Sequence, residues 1–102
     1  MQASHVQVPH GTLAEFCRQH AIRWLALFGS VLTDRFSETS DVDVLVEFHP
    51  GARVGYLRMA AMERELSALF GGRKVDLRTP PELSPYFREE VLRTAATQYA
   101  HE

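Results

Sequence analysis

The sequence predicts a small α/β domain built on a mixed three-stranded sheet with helices around it, and three observations carry that expectation. Residues 24–28 and 42–48 are short, almost uniformly apolar runs, too brief for surface helices and the right length for strands buried in a sheet. Residues 74–78 alternate polar and apolar at a period of two, which reads as a third strand. The segments around them repeat apolar residues at three- and four-residue spacing, the signature of amphipathic helices. At 102 residues the chain is one domain, large enough to bury roughly two-thirds of the surface that its unfolded form would expose.

The elements follow in order. Residues 1–10 are polar and without period, and are expected to be a flexible lead-in to a domain over 11–102. Thr12 and Glu15 stand at capping-box spacing, and Leu13, Phe16, Cys17 and His20 then mark one face of a short helix. The first strand stops at Gly29-Ser30. From Ser30 to Phe36 about two turns of helix are expected, with Ser30 as N-cap, followed by a polar loop through Ser40. The second strand ends in turn chemistry at His49-Pro50-Gly51. A long helix places Met59, Met62, Leu66, Leu69 and Phe70 on one face and stops at Gly71-Gly72, as a C-cap would. After the third strand come Thr79-Pro80-Pro81, then Ser84-Pro85 as a helix start, with Phe87, Val91, Ala95 and Tyr99 recurring every four residues as the face of a last helix.

Composition excludes several classes. Eleven Lys and Arg against thirteen Asp and Glu leave no global positive field for nucleic acid or an anionic membrane, so any polyanion must be gripped locally. Cys17 is the only cysteine, so no internal disulfide forms. No apolar run approaches the ~20 residues of a membrane span, and no basic, then apolar, leader opens the chain. The expectation is a cytoplasmic protein. The histidines His5, His10 and His20 lack a helical ligand spacing and have no cysteine partners, which argues against zinc.

The chemistry-bearing residues lie at the start of the second strand. Side chains alternate along a strand, so Asp41 and Asp43 share one face while Val42, Val44, Val46 and Phe48 share the other. A right-handed crossover from the second strand through the long helix makes the third strand parallel to it and brings Asp76 level with the two aspartates. Two unit charges ~4 Å apart repel by about 4 kcal/mol at an effective dielectric of ~20, so three carboxylates together call for a cation or a proton. An all-oxygen carboxylate set suits Mg²⁺, which keeps waters and takes substrate phosphates as further ligands. The first strand, antiparallel to the second, ends where the second begins, which puts Gly29 and Ser30 beside the aspartates. Glycine admits a phosphate to the backbone, and the first N–H groups of the following helix form an anion site. A metal-bound nucleoside triphosphate fits both halves, and the reaction they imply is nucleotidyl transfer with pyrophosphate leaving.

Gly29-Ser30, ten intervening residues, then Asp41-Val42-Asp43 resembles the Gly-Ser-x10-Asp-x-Asp signature of the polymerase-β nucleotidyltransferase superfamily. The small size and the stretch Arg73-Lys74-Val75-Asp76-Leu77 look like its minimal nucleotidyltransferases, in particular the MntA-type antitoxins encoded beside a HEPN-domain toxin. The likeness covers about residues 13–99. It implies that Asp41, Asp43 and Asp76 bind Mg²⁺ and serve catalysis, that Gly29 and Ser30 hold the triphosphate, and that AMP from ATP passes to a tyrosine of the HEPN ribonuclease, silencing it. Many relatives carry an arginine within a few residues of the Gly-Ser pair, whereas here the earliest basic residue is Arg35. Two other functions are weighed against this one: an antitoxin that neutralises its toxin by binding alone, and a small-molecule nucleotidyltransferase, which the absence of an acceptor-binding domain disfavours.

Plainer readings stand beside these. An isolated Asp-x-Asp is commonly a solvated loop, and Ser30 is a plausible N-cap, which is compatible with phosphate binding. Arg73, Lys74 and Arg78 are either phosphate contacts or a solvated charged edge. Cys17 falls on the apolar helix face as inert core. Tyr86, Phe87 and Tyr99 are candidates for partner contact.

Overall fold

The computed structural model describes residues 6–37 and 39–101. Its elements in chain order are α1 (His10–Gln19), β1 (Ile22–Phe28), a 3₁₀ turn (Gly29–Leu32), β2 (Val42–Phe48), α2 (Tyr56–Leu69), β3 (Val75–Arg78), a second 3₁₀ turn (Pro80–Glu82), α3 (Pro85–Thr94) and β4 (Ala96–Ala100). The sheet order is β3-β2-β1-β4, with β1 antiparallel to both β2 and β4, and β2 parallel to β3. The mixed sheet and the parallel pairing expected of β2 and β3 therefore stand, with one strand more than expected.

The core lies on the β-branched face of β2. Val42, Val44 and Val46 are fully buried there with Leu25 and Leu27 of β1, Leu13 and Cys17 of α1, and Met62 and Leu66 of α2. Each such Leu contributes about 2 kcal/mol of burial free energy, which is why two helices with otherwise polar faces stay docked. Burial pushes the Cys17 thiol up to about 12, as inert core requires. The opposite face of the sheet carries Asp43, Leu45 and Glu47 of β2. Leu45 and its cross-strand partner Ala26 are fully buried there, the turn Pro80–Glu82 packs toward β2, and Leu83 behind it is buried.

The stop at Gly71-Gly72 is a Schellman motif. Gly72 N–H donates to the Ser67 carbonyl at 2.8 Å and Gly71 N–H to that of Ala68 at 3.4 Å, with φ of 75° and 87° at the two glycines.

Four local expectations change. The last helix stops at Thr94, and Ala96–Ala100 forms β4 instead of continuing to Tyr99. Helical spacing is outweighed because β1, whose residues Leu25, Ala26 and Leu27 are fully buried, would otherwise present an unpaired edge; β4 satisfies it, and Trp24 Nε1 donates to Thr97 Oγ1 at 2.9 Å across the pair. The helix expected from Ser30 to Phe36 is a single 3₁₀ turn in which Ser30 makes no side-chain cap, because Thr33 turns extended and its hydroxyl donates back to the Ser30 carbonyl at 2.9 Å. α1 begins at His10 with no side-chain cap, so Thr12 lies inside its first turn; the first bond is Leu13 N–H to Pro9 carbonyl at 2.8 Å. Of the expected flexible segment 1–10, Met1–His5 lie outside the described residues, while Val6 is buried and Val8 packs against the core.

Candidate active site

The strand registers bring the predicted acidic residues together. Asp43 is paired with Asp76 across the parallel β2–β3 ladder and with Phe28 across the antiparallel β1–β2 ladder, so Gly29 follows directly beside it. Asp41 stands two residues earlier, at the entry to β2. The loop before it is tied by Ser37 N–H donating to Ser40 Oγ at 3.0 Å and by contacts of the Ser37 hydroxyl with those of Thr39 and Ser40, both at 3.2 Å. Arg73 clamps the same loop from β3's side, donating to the Ser37 carbonyl at 3.1 Å with its guanidinium 4.7 Å from the Phe36 ring centre.

Gly29 is where the two halves of the site touch. Its φ is 78°, in the left-handed region, and a Cβ built on it would collide with Asp43 Oδ2. Only glycine lets the backbone pass this close to the carboxylate. We expect Gly29→Ala to cost about 1–3 kcal/mol from the backbone conformation alone, with a further loss of function as Asp43 is displaced. Chemical denaturation reads the first effect and ATP binding the second.

Electrostatics mark Asp43 as the strained member. Burial holds its carboxyl above the ordinary value of 3.8, and the negative charges of Asp76 and then Asp41 push it in the same direction, with the Arg78 guanidinium acting against them. Asp76 Oδ2 accepts a hydrogen bond from Arg78 at 3.0 Å, the two residues sharing a face of β3 as strand alternation dictates. Arg78 is thus the basic residue that the site recruits. Arg35 is exposed, and its backbone N–H donates to Thr33 Oγ1 at 3.2 Å.

Among the described residues no group of three His, Cys, Asp or Glu side chains stands ready to hold a metal ion. The donor chemistry nevertheless fits a hard divalent cation: converging carboxylates, one of them pushed toward its protonated form by burial and by its neighbours, packed against a glycine turn. Such an arrangement binds positive charge in exchange for relief of its own repulsion.

Sequence reasoning did not find Arg78 as the partner of Asp76, although their i, i+2 spacing on a strand was the available signal. It also missed Glu63, whose Oε2 accepts from Leu77 N–H at 2.8 Å and so satisfies the outer edge of β3. The short 3₁₀ turn after Gly29 leaves less helix N-terminus at Ser30 than the sequence suggested.

Comparison with known proteins agrees with this geometry. Residues 11–95 match the family model described as a nucleotidyltransferase domain. The chain is 31% identical over 77 residues to "Putative protein adenylyltransferase MJ0435" of Methanocaldococcus jannaschii, covering 76% of this chain and 80% of that one. It is 34% identical over 74 residues to "Putative protein adenylyltransferase MJ0128" of the same organism, covering 72% of each. Among solved structures it resembles one described as a "putative minimal nucleotidyltransferase", with a TM-score of 0.66 and 34% identity over 84% of this chain and 85% of that one. It shares its fold with the crystal structure of a toxin-antitoxin with AMP-PNP, at a TM-score of 0.72 and 15% identity over 93% of this chain and 76% of that one.

Proposed function

Because the chain belongs to the nucleotidyltransferase-domain family and is a nucleotidyltransferase, we propose that it transfers AMP from ATP to a tyrosine hydroxyl of a partner toxin, a HEPN-domain ribonuclease, and silences it. The observation that carries this reading is the placement of Asp43 between the Gly29 turn on one side and Asp76 on the other. The names of the two archaeal relatives support a protein as acceptor. The toxin-antitoxin structures that share the fold support a toxin as that protein. α3 supports a protein partner too: it buries no side chain of its own, and Tyr86 and Phe87 are largely exposed on it. No helix among the described residues is long and apolar enough to cross a membrane.

In this reading Gly29 and Ser30 hold the triphosphate, and Asp41, Asp43 and Asp76 hold Mg²⁺. The ion, when bound, supplies positive charge that offsets the negative charge developing on the phosphates. The chain's own residues do the positioning. The Gly29 turn fixes the pyrophosphate end, and the β2–β3 register fixes Asp76 on the far side of Asp43. The acceptor oxygen attacks the α-phosphorus while the bond from that phosphorus to the bridging oxygen of pyrophosphate breaks. Asp76 takes the phenolic proton. The one bond that its Oδ2 receives from Arg78 leaves the carboxylate with acceptor capacity for that proton.

One alternative, neutralisation by binding alone, is favoured by the lack of an arginine close behind the Gly29-Ser30 pair, where Arg35, the earliest basic residue, is exposed. Mass spectrometry of a toxin co-expressed with this chain separates the two. The expected result is a toxin heavier by one or more AMP units and inactive as a ribonuclease; a silenced toxin of unchanged mass rejects the transfer.

A further inference from the structure

A groove of about 770 Å³ runs along the outer edge of β3, between that strand, the end of β2 and the N-terminal half of α2. Phe48, Val54, Tyr56 and Met59 give it apolar walls, Glu63 lies along it, and Asp76 forms the margin that it shares with the site described above. The geometry points to this groove as the seat of a bulky apolar side chain of the acceptor protein, next to the hydroxyl that is modified. The inference rests on the nucleotidyl-transfer reading and adds to it the surface that chooses the acceptor.

Three observations lead there. Displacement at phosphorus is in line, so the nucleophile arrives opposite the leaving pyrophosphate. The pyrophosphate end is assigned to Gly29 at the end of β1, and the sheet order β3-β2-β1 puts Asp76 and then the groove on the opposite side of Asp43. An acceptor reaching Asp76 from that side passes over the groove.

The second observation concerns polarity. The charged groups around the groove are already engaged: Glu63 with Leu77 N–H, Arg78 with Asp76, and Glu82 with the N–H and hydroxyl of Thr79 at 2.8 and 2.9 Å. What is left to satisfy is apolar surface, and Tyr56, at the mouth of the groove, is 93% exposed. An apolar occupant gains from burial there, whereas a charged one has to share side chains that are already bonded within the protein.

The third weighs against the commonest way of docking on a sheet. β3 is an edge strand, yet Glu63 caps its Leu77 N–H, so an incoming strand finds that donor taken. Insertion of a side chain meets no such competition.

The test uses the protein carrying ¹³C-methyl methionine, observed by NMR, with two blocked tripeptides in which the same tyrosine is flanked by phenylalanine or by serine. We expect the Met59 methyl resonance to move on addition of the Phe-flanked peptide and to saturate at a concentration about tenfold lower than with the Ser-flanked one, as an apolar pocket discriminates. The Met62 methyl, fully buried, stays in place. Ala60→Trp, which fills the groove from α2, abolishes the Met59 response. An equal or absent response to the two peptides overturns the assignment whether or not that variant folds, and so does a Met59 shift produced by Mg-ATP alone, which would make the groove a nucleoside site. In parallel, AMP transfer to the same peptides is followed with α-labelled ATP. A selective Met59 response without label transfer upholds the groove and defeats the reaction assigned to the enzyme.

Discussion

Asp43→Asn is expected to cut label transfer from α-labelled ATP by about a thousandfold or more and, at the same time, to raise the melting temperature of the metal-free protein at neutral pH. The loss follows from removing a carboxylate at the centre of the site, where preorganised charge contributes most. The gain follows from linkage. Burial and the charges of Asp76 and Asp41 raise the folded-state pKa of Asp43 above the ordinary 3.8, so ionising it costs the folded state more than the unfolded one. That cost is fully present above the folded-state value, shrinks as pH falls through the window between the two values, and is absent below 3.8, where the side chain is protonated in both states. The advantage of the Asn variant in a thermal melt is therefore greatest at neutral pH and disappears in acid. Mg²⁺ provides the complementary readout: it is expected to raise the melting temperature of the parent by binding the native state, and the Asn variant to lose that increment. An Asn variant that melts below the parent at neutral pH, or that still transfers label, would sink the assignment of Asp43 as the strained centre of the site.

The place of Asp43 between the Gly29 turn and Asp76 was legible in the sequence because its signals are local. Asp41-x-Asp43 opening an apolar strand, the Gly29-Ser30 stop before it, and the Gly71-Gly72 cap that ends α2 each encode their structure within a few residues. The register of Asp43 with Asp76 was also reachable, since right-handed crossovers leave one arrangement for β2-α2-β3. What escaped was set by competition. Thr33 offers the Ser30 carbonyl a side-chain donor and so cuts short a helix that the neighbouring residues would extend. Thr12 and Glu15 have capping-box spacing, yet the capping box that forms is Thr79 with Glu82, because the helix of Thr12 starts a turn earlier. The groove beside β3 joins residues from Phe48 to Glu82 that share no pattern along the chain.

β4 is the costliest of these omissions, and it yields the second large effect. A chain ended after Ala95 is expected to lose cooperative unfolding and to collect in the insoluble fraction. β1 lies between β2 and β4, and its pairings from Trp24↔Ala100 to Leu27↔Ala96 satisfy the side of the strand that β2 does not reach. Removing them leaves several backbone groups without partners along a strand in which Leu25, Ala26 and Leu27 are fully buried; at about 1 kcal/mol net for each lost bond the sum is ~3–5 kcal/mol, most of the stability of a marginal domain. The bare edge is also apolar and of the length that templates association between chains. Thr97→Ala separates the two contributions. It deletes the hydroxyl that accepts from Trp24 Nε1 and keeps the strand, so it is expected to cost about 1 kcal/mol in urea and to leave the protein in the soluble fraction. A truncated chain that unfolds in one transition with a midpoint near that of the parent would mean that β4 is an accessory to the sheet. The closure of β1 would then have to come from α1, which packs against both strands.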